Sequence, residues 1–360
     1  MKPIEKVRRL LQDVNLDSAI ITRRYNFAWL TGGGSSAIRQ PTDDGVASLV
    51  VKQDETFLVT TNIEARRLME EQIPDLPVEP LDYPWHSSPD VMLKKLLDGE
   101  RVGSDNYRPA TTDLSPHLSR LRSVLEPEEM QRYRSFANQA SATIEAVCAR
   151  IAPGWSEQEI YADMAHEAAL RFIRPVVALV AADDRVFAYR HPLPTDRKLR
   201  RYAMLVISAE RHGLIANATR FVHFGPLPDD LAGKHRKVAH IHSALIAGTR
   251  PGRPYHDFFQ EVQGLYAQAG WPDEWRLHHQ GGPTGYLPRE FLVGPMTPGQ
   301  MRLDQAFAWN PSLTGAKAED TFLLTAHGPE ILTLTSDWPT LDITVHDRTW
   351  PCPAVLIRTQ

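Results

Sequence analysis

The residues able to do chemistry are concentrated in four stretches of the C-terminal part of the chain. Tyr189-Arg190-His191-Pro192 leads into Pro194-Thr195-Asp196-Arg197. Leu205 to Phe221 reads LVISAERHGLIANATRF. His278-His279-Gln280-Gly281-Gly282 comes third, and Trp309-Asn310-Pro311-Ser312 precedes Lys317-Ala318-Glu319-Asp320-Thr321. Histidine is the side chain whose ordinary pKa lies nearest neutrality, so His191 and His279 are candidate proton carriers. Glu319 is the carboxylate best placed to orient a water, fix an imidazole or bind a cationic group. Asn217 and Asn310 offer neutral amides to a polar substrate, and Arg220 offers a cation to an anionic one. Arg220 fits a structural ion pair equally well, and His278 reads as a packing neighbour of His279. His240 and His242 fall in a helical segment, where residues two apart point different ways and make no metal pair.

These stretches need a scaffold, and its elements are visible in the pattern. The N-terminal third reads as an α/β layer with its own core. A helix over about residues 3–14 is followed by strands near 16–22, 46–51 and 56–60 and a helix near 61–71. The glycines Gly32 to Gly34 lack the strand and helix context of a dinucleotide loop and read as a tight turn. A boundary falls near Leu125, giving domains of about 1–124 and 125–360. Pro127 with Glu128 and Glu129 starts a long helix running to about 151. Pro153-Gly154 breaks it, and Ser156 with Glu159 forms a capping box for the next. Helices near 228–248 and 255–268 and strands near 203–208, 213–223, 305–310, 321–325 and 331–335 complete an α+β domain.

Composition narrows the class. Over 360 residues the net charge is −4, which argues against a nucleic-acid binder. No apolar run approaches the roughly 20 residues that span a bilayer. The start MKPIEKVRRLLQDVN is amphipathic, without a secretory apolar segment. Two distant cysteines, Cys148 and Cys352, suit a reducing cytoplasm, with Cys148 a small core residue.

In order and spacing, the four stretches resemble the creatinase, aminopeptidase P and methionine aminopeptidase family, which has the pita-bread fold. The strongest elements are His-Pro-x-Pro-Thr-Asp-Arg at 191–197, Gly213 through Thr219-Arg220, and Glu319-Asp320-Thr321 before Gly328-Pro329-Glu330. The resemblance implies an α+β pita-bread C-terminal domain, a smaller α/β creatinase-type N-terminal domain and a homodimer. In its metal-dependent members two Asp, one His and two Glu hold two divalent ions. Carried over singly, those positions fall on Val206 (or Ser208 with a small shift), Asn217, His279, Asn310 and Glu319. Hard ions prefer anionic oxygens, and three of the five carboxylate or histidine ligands are missing, so no resident metal or cofactor is expected.

Creatinase belongs to this fold and hydrolyses a C–N bond without metal. Its principal acid/base histidine corresponds to His191, whereas its additional active-site glutamate meets Thr219 here. In creatinase-like dimers the neighbouring N-terminal domain reaches the active site, which gives Arg39 a role toward an anionic substrate. The leading expectation is therefore a metal-independent, creatinase-like hydrolase of a C–N bond in a small polar molecule. His191, His279 and Glu319 would be catalytic; Asn217, Asn310, Arg220 and Arg39 would bind substrate. A non-catalytic pita-bread binding protein and an Xaa-Pro peptidase-type metallohydrolase with an unusual site are the alternatives.

Overall fold

A computed structural model describes residues 1–40 and 42–359. It divides into two units, one of Met1–Glu126 with His212–Leu214 and one of Pro127–Arg211 with Ile215–Gln360. Among the described residues no helix is long and apolar enough to cross a membrane.

The first unit is built on a six-stranded mixed sheet. Its central strand Ser18–Arg23 pairs antiparallel with Asp44–Lys52 and parallel with Val102–Ser104. The helix Pro3–Asp13 buries Val7, Leu10 and Leu11, the i, i+3, i+4 stripe that its sequence shows. Helix formation near 61–71 begins later than the periodicity suggests, because Thr61 still belongs to the strand Thr56–Thr61. A short helix at Ala65–Arg67 then widens into a π turn at Leu68–Gln72.

The second unit holds two four-stranded sheets. In one, Tyr202–Arg211 lies between Arg174–Ala182 and Leu214–Phe224, with Leu356–Arg358 at the edge. The other runs Gly281–Thr284, Ala306–Trp309, Asp320–Thr325 and Gly328–Ile331. The sheets are stitched where the site lies: Thr219 N donates to Glu319 O at 3.2 Å, and Asn217 N to Thr321 Oγ1 at 2.8 Å. Helices Pro127–Arg150, Glu157–Leu170, Asp229–Gly248 and Tyr255–Gln268 pack around them. The capping box at Ser156 and Glu159 forms as its sequence dictates. Phe258, Phe259, Val262 and Tyr266 meet Trp309 and Phe307 in one apolar cluster.

Two further features depart from the sequence reading. The strand expected over 331–335 stops at Ile331, because Thr333 turns into a polar network: its carbonyl accepts from Arg220 at 2.6 Å and its hydroxyl donates to Asp320 at 2.8 Å. The strand Arg174–Ala182 and the hairpin Thr340–Val345 with Arg348–Pro353 were not legible, since alanines and prolines dilute the β-type pattern.

Two interior histidines make the second unit acid-sensitive. His235 lies 2.5 Å from the Tyr202 hydroxyl, and His242 is wholly enclosed. Burial pushes each down to about 4. The unfolded chain would protonate them near 6.5, so stability falls as pH drops from about 6.5 to about 4, by about 3 kcal/mol per histidine. Urea unfolding at pH 7 and pH 4.5 checks this; His235→Gln is expected to shrink the acid-side loss.

Candidate active site

The centre of the site is a buried charge cluster. Glu319 stands just before the strand Asp320–Thr325, and Lys317 ends the short ribbon Ser312–Leu313 with Ala316–Lys317. Glu319 Oε2 accepts from Lys317 Nζ at 2.7 Å and from Thr219 Oγ1 at 2.7 Å. Its Oε1 accepts from Arg289 Nη2 at 2.8 Å. The three charged side chains are between 4% and 9% exposed. Burial alone pushes a carboxyl pKa up, but the Lys317 ammonium and Arg289 guanidinium overrule it and hold Glu319 well below the usual range. Counting unit charges, two cations and one anion leave the cluster net positive.

Beside it three histidines converge. His278 Nε2 lies 3.1 Å from His191 Nε2, and the ring centres of His278 and His279 are 4.5 Å apart. One nitrogen from each of the three rings lies within 4.8 Å of the other two. Burial and then Lys317 push His278 down to about 2; burial and then Arg289 push His279 down to about 4. His191 is also lowered, by burial and Lys317. All three are therefore neutral at pH 7.

Local structure explains this convergence. Arg190 Nη2 donates to Glu274 at 2.5 Å and to Thr314 Oγ1 at 3.2 Å, tying the His191 loop to the turn that precedes His278. The run at 194–197 is anchored by buried Glu157, which accepts from Thr195 N at 2.9 Å and Thr195 Oγ1 at 2.7 Å. Gly281 has φ 97°, and a Cβ there would lie 2.1 Å from Ala308 O, so the chain beyond the histidines can pass only as glycine. A small cavity lined by Tyr189, Arg190, Met204, His278, Ser312 and Lys317 adjoins the cluster.

The structure sorts the residues singled out by sequence. His191 is exposed at the mouth, with His279 half-buried behind it. Glu319 lies among them but is no free base or cation receptor, because both oxygens are already committed. Its partners are Lys317, Arg289 and Thr219. Asn217 is fully buried, accepts from Ser208 at 2.7 Å and donates to Thr284 at 3.1 Å. The 0% exposed side chain of Arg220 pairs with Glu145 at 2.9 Å and Asp320 at 3.1 Å, the ion-pair alternative weighed for it. Asn310 Oδ1, Arg289 Nε and His279 Nδ1 are buried without a hydrogen-bond partner among the described residues. Arg39 is exposed in the first unit. Lys317, Arg289 and His278 were missed as functional candidates. Lys317 had a signal, two residues from Glu319; Arg289 had none.

Residues 3–133 match the Creatinase/Prolidase N-terminal domain, and residues 131–326 match Metallopeptidase family M24. An uncharacterized peptidase of Staphylococcus epidermidis is 22% identical over 353 residues, covering 92% of this chain and 99% of the relative. The prolidase from Pyrococcus horikoshii OT3 superposes with a TM-score of 0.78 at 16% identity, covering 93% of this chain and 99% of the other. The Xaa-Pro dipeptidase from Bacillus anthracis gives 0.77 at 14%, covering 99% of both. These structures share the pita-bread fold.

At the positions to which the resemblance carries the two-ion ligand set, the side chains present do not fit such a site. Val206 is apolar, Asn217 is spent on Ser208 and Thr284, and Asn310 is neutral. The remaining carboxylate, Glu319, already carries two cations. At about 4 Å and an effective dielectric constant of about 20, a divalent ion and an ammonium repel by roughly 8 kcal/mol. An ion pair on Glu319 would have to expel Lys317.

The buried network below the site predicts a mutational contrast. Arg220→Met strands Glu145 and Asp320 without their cation and is expected to cost about 3–5 kcal/mol in urea unfolding. His191→Ala, at an exposed position, is expected to change stability by less than about 0.5 kcal/mol.

Proposed function

This chain belongs to metallopeptidase family M24, and from that premise we propose that it hydrolyses the C–N bond of a small peptide or peptide-like amide. The observation that carries the proposal is the Lys317–Glu319–Arg289 cluster facing His191, His278 and His279. Hydrolysis adds water oxygen to the carbonyl carbon, breaks the C–N bond and delivers a proton to the leaving nitrogen. Positive charge fixed in a buried site stabilises the oxyanion that develops on the way. Lys317 and Arg289 supply that charge, and Glu319 holds both in place.

A peptide amide is preferred to the guanidino-type bond suggested by creatinase, because the Staphylococcus epidermidis relative is described as a peptidase. The prolidase and Xaa-Pro dipeptidase folds favour an Xaa-Pro peptidase with an unusual site as the sharper form of the same reading. Family resemblance further supports a homodimer, with Arg39 available to an anionic substrate end.

A panel of dipeptides, including Xaa-Pro pairs, and guanidino acids tests the reading. Dipeptide turnover is expected, with kcat/KM at least about 100-fold lower in Lys317→Met, the scale of losing one oxyanion donor. Circular dichroism verifies that the variant folds. Turnover confined to guanidino acids would return the chain to the creatinase type. No turnover of any member, alongside binding of a peptide, would make it a binding protein.

A further inference from the structure

We infer that His191, His278 and His279 form a mononuclear site for a divalent transition ion of the zinc type, separate from the two-ion arrangement of the family. Three imidazoles meeting at one point are a suitable donor set, since imidazole nitrogen suits zinc, cobalt, nickel and copper and needs no carboxylate. Two nitrogens bound at about 2.0–2.1 Å to one tetrahedral ion lie about 3.3–3.4 Å apart. His191 Nε2 and His278 Nε2 are 3.1 Å apart, so these two already stand near the spacing of a shared ion. One nitrogen of His279 lies within 4.8 Å of both.

Surrounding groups favour this assignment. Ser312 Oγ lies 3.4 Å from His278 Nδ1, an orienting contact that turns Nε2 toward His191. His279 Nδ1 is buried with no hydrogen-bond partner among the described residues. Arg190, held by Glu274 and Thr314, keeps His191 beside His278. Three protein ligands leave a fourth position open, the pattern of a catalytic rather than a structural ion. Glu319 offsets one of the two nearby cations. The other favours an anionic group of the substrate at that fourth position. Of the three, the resemblance places only His279 in the ligand set of the family.

The inference deepens the proposed hydrolase and rests on it for the purpose of the ion, but binding is measured without turnover. Protein dialysed against a chelator is titrated with ZnCl2 by calorimetry and with CoCl2 by visible absorption. One equivalent of zinc per chain is expected, with cobalt bands of four- or five-coordinate intensity. His191→Ala and His278→Ala should each weaken zinc at least tenfold, with folding checked by circular dichroism. His191→Ala, on an exposed loop, keeps the test sharp if the buried variant does not fold. Two equivalents per chain, or full affinity retained in His278→Ala, would overturn the assignment in favour of a family-type corner. No binding would overturn it as well. Dipeptide turnover in that case leaves the hydrolase reading standing, whereas zinc binding without turnover sinks the hydrolase and supports the site.

Discussion

A buried carboxylate cannot stand alone in a protein interior, and the arrangement around Glu319 follows from that constraint. Unpaired, it would bear a desolvation penalty of several kcal/mol. In the metal-dependent relatives the compensation comes from divalent ions. Here Lys317 and Arg289 provide it from within the chain, with Thr219 filling a further lone pair. That choice fixes much else. The cations leave no role for acids at positions 206, 217 and 310, where Val206, Asn217 and Asn310 stand. They also push the neighbouring imidazoles toward the neutral form.

The same constraint shapes the scaffold. Arg220, directly after Thr219, neutralises Glu145 from the long helix and Asp320 from the second sheet. Two adjacent residues on one strand thus serve two charge clusters on opposite faces, as strand alternation requires. Asn217 two positions earlier shares the face of Thr219 and ties the strand to Thr284 and Thr321. The sheets are joined through polar groups at the site and through apolar packing elsewhere.

Much of the fold was legible because its signals are local. Pro127, Glu128 and Glu129 mark a helix start, and Ser156 with Glu159 reproduces its capping box. The site was legible only in part. His191, His279 and Glu319 announced themselves by type and order, but their partners come from far along the chain. Arg289 meets Glu319 across thirty positions, and no pattern in sequence reports that approach. His278 was read as a packing neighbour because adjacent residues on an extended chain usually diverge. In the structure the two ring centres nevertheless lie 4.5 Å apart. Asn217 and Arg220 looked available because sequence does not show how completely a polar side chain is already bonded.

The central claim is that protein cations occupy Glu319 and leave any ion to the histidines. Anomalous diffraction at the zinc edge from zinc-soaked crystals tests it most directly. The account predicts one peak among His191, His278 and His279, with Lys317 Nζ still on Glu319. Two peaks bridged by Glu319, with Lys317 displaced, would contradict it.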